Sequence, residues 1–371
     1  MKILSVVGTR PNFMKIAPIH RAFLEKQGLI EHIIVHTGQH YDKAMSEVFF
    51  TQLGIPKPDI NLNISSGSHT SVTSRIMSAF EEVCNDYSPD YVLVVGDVNS
   101  TLACGLVASQ KNIPLIHVEA GLRSADRKMP EEKNRIVVDH LSDLLFVTEP
   151  SALYNLANEG ISEDKIHYVG NVMIDSIIHN IDNINNSDIL EKLNVKKDKY
   201  ILFTMHRPSN VDTSKNLIKI VNLLTEISTF HTVVFPIHPR TKNNLEKHGL
   251  IDKVKNNQNI ILVGPQGYHE FIHLIKNARL MVTDSGGIQE EASHLLTPCI
   301  TFRNSTERPS TITYGTNTLI KDLNVENAIK ACKAIIDSEI GTKSPIPFWD
   351  GKAAERITNI ILKRVNKPLL N

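Results

Sequence analysis

Short apolar runs alternate with amphipathic stretches along most of this chain. Ile3 to Val7 predicts a buried strand, broken by Gly8-Thr9-Arg10-Pro11. Phe13, Ile16, Ile19, Phe23 and Leu24 then recur at helical spacing. His32 to His36 predicts a second strand, followed by helical patterns around Met45–Leu53 and Val72–Val83. Tyr91 to Val95 predicts a strand ending in Gly96-Asp97. A helix from about Thr101 to Gln110 leads to the strand Leu115–Val118, which ends in Glu119-Ala120-Gly121. Glu131 opens another helix, and Leu144–Val147 is another strand. The rhythm pauses around Tyr168–Leu193, which is helical, Asn-rich and charged. It resumes with predicted strands at Tyr200–Thr204, Thr232–Ile237, Ile260–Val263, Leu280–Thr283 and Cys299–Phe302. Strand–helix alternation implies α/β architecture with parallel sheets covered on both faces. The pause divides it into two doubly wound, Rossmann-like domains, residues 1–170 and 171–350. Gly351 to Val365 reads as a final amphipathic helix whose place the pattern leaves open.

Length agrees with two domains, since 371 residues is long for a single core. Lys+Arg and Asp+Glu are both 40, so net charge is zero and no global footprint for nucleic acid or an anionic membrane exists. Cys84, Cys104, Cys299 and Cys332 are widely spaced, which argues against a disulfide framework or cysteine zinc site and for a reducing cytosol. The N-terminal apolar run is too short for a signal peptide, and nothing is long enough to span a bilayer.

Doubly wound sheets bind ligands at the carboxyl ends of their strands, so the residues just after each strand carry the functional reading. The strongest such stretch is Asp284-Ser285-Gly286-Gly287-Ile288-Gln289-Glu290-Glu291. It joins the strand ending at Thr283 to a helix predicted over Ile288–Leu296. Two glycines there admit a close ligand, and a helix N-terminus suits a phosphate. Glu291, one turn on, is placed for ribose hydroxyls. The first half adds Arg10, Lys15, Asp97 and Glu119, with Glu131 after a loop. The second adds His206-Arg207, His238-Pro239-Arg240 and Glu307-Arg308-Pro309. Carboxylates in one half and a phosphate cradle in the other suit acid–base work on a molecule with an anionic leaving group. In isolation Asp97 also reads as a helix cap, and Glu131 and Glu132 as acids favoured by a helix start. Glu119 lies in an apolar setting, where an unpaired carboxylate is costly. His269-Glu270-Phe271-Ile272-His273 matches the zinc-protease spacing, but no third ligand is signalled and the match is read as chance. The first turn lacks the dinucleotide-binding glycine pattern, which disfavours a nicotinamide-dependent epimerase.

Taken in order, these residues resemble the non-hydrolysing UDP-N-acetylglucosamine 2-epimerases over nearly the whole chain. The resemblance is carried by Gly8-Thr9-Arg10-Pro11 with Lys15, Gly96-Asp97, and His117-Val118-Glu119-Ala120-Gly121-Leu122-Arg123. It continues through Pro130-Glu131-Glu132, His206-Arg207, His238-Pro239, Asp284 to Glu291, and Thr306-Glu307-Arg308-Pro309. It implies a GT-B-like fold, two Rossmann-like domains facing across a cleft, with the C-terminal helix of residues 351–371 packed back on the first. It implies UDP binding by Arg10, His206, Gln266, Phe271, Ser285, Gly286, Gly287, Glu291 and Arg308, with Phe271 at the uracil. Lys15, Asp97, Glu119, Glu131 and His206 become the catalytic candidates. The implied reaction is C2 epimerisation of a UDP-2-acetamido sugar through a 2-acetamidoglucal, needing no metal or nicotinamide. A UDP-sugar substrate, a homodimer and a place in polysaccharide biosynthesis are expected from the same resemblance, with no nucleic-acid or membrane partner. A second UDP-sugar site in the family maps to Gln39, His40, Arg75 and His238. Here the usual Ala-Gln-His-Arg is Gly38-Gln39-His40-Tyr41, and the usual His-Arg-Arg-Glu-Asn is His206-Arg207-Pro208-Ser209-Asn210. These departures predict weak or absent activation through that site. The run Asn12-Phe13-Met14 and the stretch His36–Asp59 resemble a subgroup that includes epimerases of UDP-2,3-diacetamido glucuronic acids, which keeps that substrate as an alternative. A hydrolysing 2-epimerase and a GT-B glycosyltransferase are the other readings of the same residues.

Overall fold

A computed structural model describes residues 1–26, 28–38, 54, 57–65, 67–338 and 345–365. The chain forms two units, Met1–His179 with the segment from Pro347, and Asn180–Ile346. The first holds a seven-stranded sheet in the order β3-β2-β1-β4-β5-β6-β7. Its strands are β1 (Lys2–Val7), β2 (Glu31–His36), β3 (Ile60–Asn61), β4 (Tyr91–Val95), β5 (Leu115–Ala120), β6 (Leu144–Val147) and β7 (Ile166–Tyr168). The second holds a six-stranded sheet in the order β10-β9-β8-β11-β12-β13. Its strands are β8 (Tyr200–Thr204), β9 (Thr232–Pro236), β10 (Ile260–Val263), β11 (Leu280–Thr283), β12 (Cys299–Phe302) and β13 (Asn317–Ile320). The pairings are parallel in both sheets. Strand order reverses between β1 and β4 in one sheet and between β8 and β11 in the other, the places where doubly wound sheets open a ligand crevice.

Each sheet is buried on both faces, so its strands read as apolar runs rather than alternations. In the first unit Leu4, Val6, Val92 and Val94 pack against Ile76 and Phe80 of the helix His69–Tyr87. In the second, Phe203 and Phe235 meet edge-on at 5.1 Å beneath the helix Ser214–Ser228. A fully buried phenylalanine contributes about 1.5–3 kcal/mol, so these contacts fix the strand register.

Three edge strands escape the sequence pattern. β3 has two residues, β7 carries His167 at its centre, and β13 opens on Asn317, so none shows a sustained apolar run. The predicted helix around Met45–Leu53 lies outside the described residues.

The join between units falls after His179 rather than near Gly170. The helix Val172–His179 buries its apolar face in the first unit, where Ser176 Oγ donates to the Met14 carbonyl at 2.7 Å. The return begins at Pro347, ahead of Gly351. Tyr168 Oη donates to the Pro347 carbonyl at 2.6 Å, and Trp349 Nε1 to the Thr148 carbonyl at 2.9 Å. At Gly170 (φ +89°) a Cβ would sit 2.0 Å from the Phe348 carbonyl oxygen, so only glycine admits this crossing. The helix Ala353–Val365 then packs on the helices Arg10–Leu24 and Val172–His179. Asp175 caps it, accepting the Ala353 and Ala354 amides at 3.2 and 2.7 Å. Among the described residues no helix is long and apolar enough to cross a membrane.

Candidate functional site

Both switch points carry polar side chains. In the first unit Asn12 ties the turn after β1 to the end of β4. Its Oδ1 accepts the Gly8 and Thr9 amides at 3.1 and 2.9 Å, while Nδ2 donates to the Val95 carbonyl at 3.1 Å. Pro11 suits the start of the helix Arg10–Leu24, which carries Lys15 one turn further on. The side chain of Arg10 lies outside the described residues.

Glu119 belongs to β5 rather than following it. The β5–β6 register shifts between Val118 and Ala120, and Glu119 takes φ +68° as the extra residue of a bulge. A non-glycine residue in that region is uncommon, and bulges of this kind re-aim side chains beside functional sites. The Glu119 carboxylate, 2% exposed, forms an ion pair with Lys15 and lies 3.4 Å from Arg135. Arg135, 1% exposed, also pairs with Asp97. The result is a chain of alternating charge, Lys15–Glu119–Arg135–Asp97, buried up to its partly exposed Asp97 end. Mutual pairing is what makes charges tolerable at this depth. Gly96 (φ +69°) abuts it: a Cβ there would lie 3.1 Å from Lys15 Nζ.

Asp97 does not cap the next helix, which starts at Asn99 with Val98 as its N-cap. Its carboxylate faces Arg135 instead, and its carbonyl accepts from Asn134 at 2.9 Å. The two acids of Pro130-Glu131-Glu132 have different settings. Glu132 is buried and accepts from the Ser124 amide and hydroxyl (2.7 and 2.8 Å) and the Ala125 amide (3.0 Å), which orders the loop. Glu131 is half-buried in the first turn of the helix Pro130–Leu141.

In the second unit Asp284 closes β11 and organises the end of β8. It is fully buried, and its carboxylate accepts the His206 and Arg207 amides (3.1 and 2.9 Å) and Asn210 Nδ2 (3.0 Å). The His206 ring lies against it, Nδ1 at 3.2 Å. Burial pushes the Asp284 carboxyl up, but His206, Asn210 and the Arg207 amide outweigh it and hold it below the usual carboxylate range. The His206 and His238 rings lie 5.3 Å apart. Burial, His206 and Arg240 keep His238 below the ordinary histidine value.

The helix after β11 spans Gly286–His294, two residues earlier at each end than predicted. Ser285 is its N-cap, and Gly286 and Gly287 form its first turn, with amides that have no partner within the helix. A Cβ on Gly286 would lie 3.1 Å from Arg308 and 3.2 Å from Arg303, so two guanidinium groups converge on this N-terminus. Glu307 bridges them, one oxygen at 3.0 Å from Arg303 and the other at 3.1 Å from Arg308. Glu290 holds Arg308 from a third side at 2.9 Å. Burial and the neighbouring Arg207 pull the Arg303 guanidinium below its ordinary value. Gln289 accepts from Thr306 and Asn317, both at 2.9 Å, and so ties the loop after β12 to the helix. Glu291 is buried in this helix, Phe271 is half-buried in the helix Tyr268–Asn277, and Gln266 donates to the Gly264 carbonyl at 2.8 Å.

His269 and His273 meet Asn180 Oδ1 (3.2 Å) and the Ile184 carbonyl (2.6 Å), contacts that join their helix to the segment after His179. Of the second-site residues, Gln39 and His40 lie outside the described residues. Arg75 sits on the helix His69–Tyr87 with Nε at 3.2 Å from the Ser71 carbonyl, and His238 accepts the Arg240 amide as a helix cap. Arg135 follows no strand and lies one helical turn beyond Glu131, so the ends of the strands do not point to it. Arg303 directly follows β12 and is a strand-end residue that the sequence reading leaves out.

The sequence model of a family described as UDP-N-acetylglucosamine 2-epimerase matches residues 22–362. A protein of Methanocaldococcus jannaschii named UDP-N-acetylglucosamine 2-epimerase is 45% identical over 97% of this chain and 99% of its own length. A Pseudomonas aeruginosa protein named UDP-2,3-diacetamido-2,3-dideoxy-D-glucuronate 2-epimerase is 42% identical over 98% of this chain and 100% of its own. The crystal structure of the M. jannaschii UDP-GlcNAc 2-epimerase, in complex with UDP-GlcNAc and UDP, superposes with a TM-score of 0.89 at 44% identity. That match covers 98% of this chain and 100% of the other.

Proposed function

Because the chain belongs to the UDP-N-acetylglucosamine 2-epimerase family, we propose that it interconverts UDP-GlcNAc and UDP-ManNAc by eliminating and re-adding UDP. The observation that carries this reading is the Lys15–Glu119–Arg135–Asp97 chain at the carboxyl ends of β4 and β5.

The C2–H of a 2-acetamido sugar is not adjacent to a carbonyl, so direct deprotonation is very difficult. Breaking the C1–O bond sends its electron pair to the diphosphate and puts positive character on C1. A carboxylate then takes the C2 proton, and the C–H pair becomes the C1=C2 bond of a 2-acetamidoglucal. Returning a proton to the opposite face and re-adding UDP at C1 gives the other epimer. Asp97, Glu119 and Glu131 supply acid–base groups, Lys15 and Arg135 hold Glu119 as a carboxylate, and His206 serves the leaving group. Ser285, Gly286, Gly287 and Arg308 take the diphosphate at the helix N-terminus. Arg10 adds a further cation, Phe271 and Gln266 face the uracil, and Glu291 takes the ribose hydroxyls. A homodimer in the cytoplasm, feeding polysaccharide synthesis, completes the reading.

NMR of a UDP-sugar panel in heavy water tests it. Solvent deuterium at C2 of the epimerised product is expected. Epimerisation without deuterium rejects C2 deprotonation, and accumulation of free UDP with N-acetylmannosamine shows a hydrolysing outcome. The 42% identity to the diacetamido-glucuronate enzyme favours that substrate as the second member of the panel.

A further inference from the structure

We propose that His117 is a buried, doubly protonated positioning residue that clamps the Gly96-Asp97 turn behind the proposed acid–base array. β5 carries both His117 and Glu119, and the helix Pro130–Leu141 carries Arg135 and Asp139. Residues four apart share a helix face, so strand and helix are joined by two neighbouring rungs. One rung is Glu119–Arg135 at 3.4 Å, and the other is His117–Asp139 at 2.7 Å. Each rung also grips the turn after β4. Arg135 pairs with the Asp97 carboxylate, while His117 Nε2 lies 2.8 Å from the Gly96 carbonyl. Two successive residues of one turn are therefore held by two rungs of one ladder.

The hydrogen bonds assign the protons. A backbone carbonyl only accepts, so Nε2 of His117 carries a hydrogen. On the other side, Asp139 Oδ2 accepts the Gly121 amide at 3.1 Å and pairs with Arg123 at 2.7 Å. Both partners on Oδ2, an amide and a guanidinium, are donors and hold Asp139 as a carboxylate whatever the state of His117. An ionised Asp139 only accepts, so Nδ1 carries a hydrogen as well. Arg123 is itself held by Glu159 at 2.8 and 2.6 Å. The line His117–Asp139–Arg123–Glu159 thus alternates in charge and sums to zero, which is how a fully buried imidazolium is accommodated.

Gly96, at φ +69°, has no side chain to restrict it; its amide donates to the Val118 carbonyl at 3.0 Å, and His117 fixes its carbonyl. His117 acts through Gly96 and Arg135 and is a positioning residue. Displacing a reacting group by about 1 Å costs on the order of a hundredfold in rate.

The kinetic consequence rests on the proposed epimerisation; the protonation state does not. With ring-15N-histidine in the intact protein, both His117 nitrogens are expected to show N–H signals at neutral pH. Loss of those signals in His117→Gln assigns them. One bare ring nitrogen, with the proton on Asp139, overturns the assignment. His117→Gln keeps one donating nitrogen in place of two and is expected to lower kcat about a hundredfold, with KM and UDP affinity unchanged. Asp139→Asn can keep every contact, its amide donating to Nδ1 of a neutral ring, and is expected to lose less than tenfold. That variant preserves the test if His117→Gln fails to fold. Wild-type kcat in His117→Gln, parallel loss of kcat and UDP affinity, or a hundredfold loss in Asp139→Asn each reject the clamp. If the unmodified protein epimerises no UDP-sugar, the proposed reaction falls while the NMR result stands.

Discussion

Replacing Arg135 by methionine removes the cation that joins Asp97 to Glu119 and keeps the aliphatic bulk of a side chain only 1% exposed. Glu119 retains Lys15, whereas Asp97, partly exposed, loses its ion pair with the Arg135 guanidinium. Removing one member of a fully buried ion pair costs about 3–5 kcal/mol, and the partial exposure of Asp97 places the loss near the lower end, about 2–3 kcal/mol. The single tryptophan, Trp349, is buried against Thr148 in the same unit and reports the unfolding of that unit. With a urea slope of about 2 kcal/mol/M, the midpoint falls by about 1–1.5 M. The cost is electrostatic, so Asp97→Asn introduced into Arg135→Met recovers about 1–3 kcal/mol although it destabilises the parent. Fluorescence-detected urea unfolding of the four proteins gives this coupling directly. A midpoint shift below about 0.5 M, or additive effects of the two changes, refutes the reading of Arg135 as the central charge of the chain.

Arg308→Ala should weaken UDP binding or transition-state stabilisation by roughly 2–5 kcal/mol, read by calorimetry and kcat/KM; unchanged values remove Arg308 from the diphosphate site. Gly287→Val should block the phosphate without unfolding the unit, because a Cβ there meets nothing within 4 Å; loss of the fold makes that glycine structural. Burial raises Asp175 to about 6, so the folded state binds its proton more tightly than the unfolded chain and this group's contribution declines as pH rises. Between pH 5 and 7 the Trp349-reported stability should therefore drop by about 1–2 kcal/mol relative to Asp175→Asn, and a change of opposite sign rejects the assignment. The reverse reaction, started from the manno epimer, should be hyperbolic without added gluco epimer, given Tyr41 and Pro208 where the family pattern has arginines; a strict requirement for the gluco epimer shows that a second UDP-sugar site operates.

Local signals in the chain determine the two doubly wound sheets and much of the candidate chemistry. A strand buried on both faces must be a continuous apolar run, so β1, β4, β6, β8 and β11 are legible from side-chain type alone. Once those strands are known, ligand residues are sought at their carboxyl ends, which brings Lys15, Asp97, Glu119, His206 and Ser285 into view. Tertiary structure decides what those groups meet. The bulge that turns Glu119 toward Lys15 leaves no mark in an apolar periodicity. Arg135 reaches Asp97 across 38 positions of sequence, and Glu307 binds Arg303 and Arg308 together at Gly286 only because β12 lies beside β11. Hydrophobic periodicity records how each segment meets its own layer. Charge compensation is settled through space between segments distant in sequence, so it becomes visible only when the sheets are assembled.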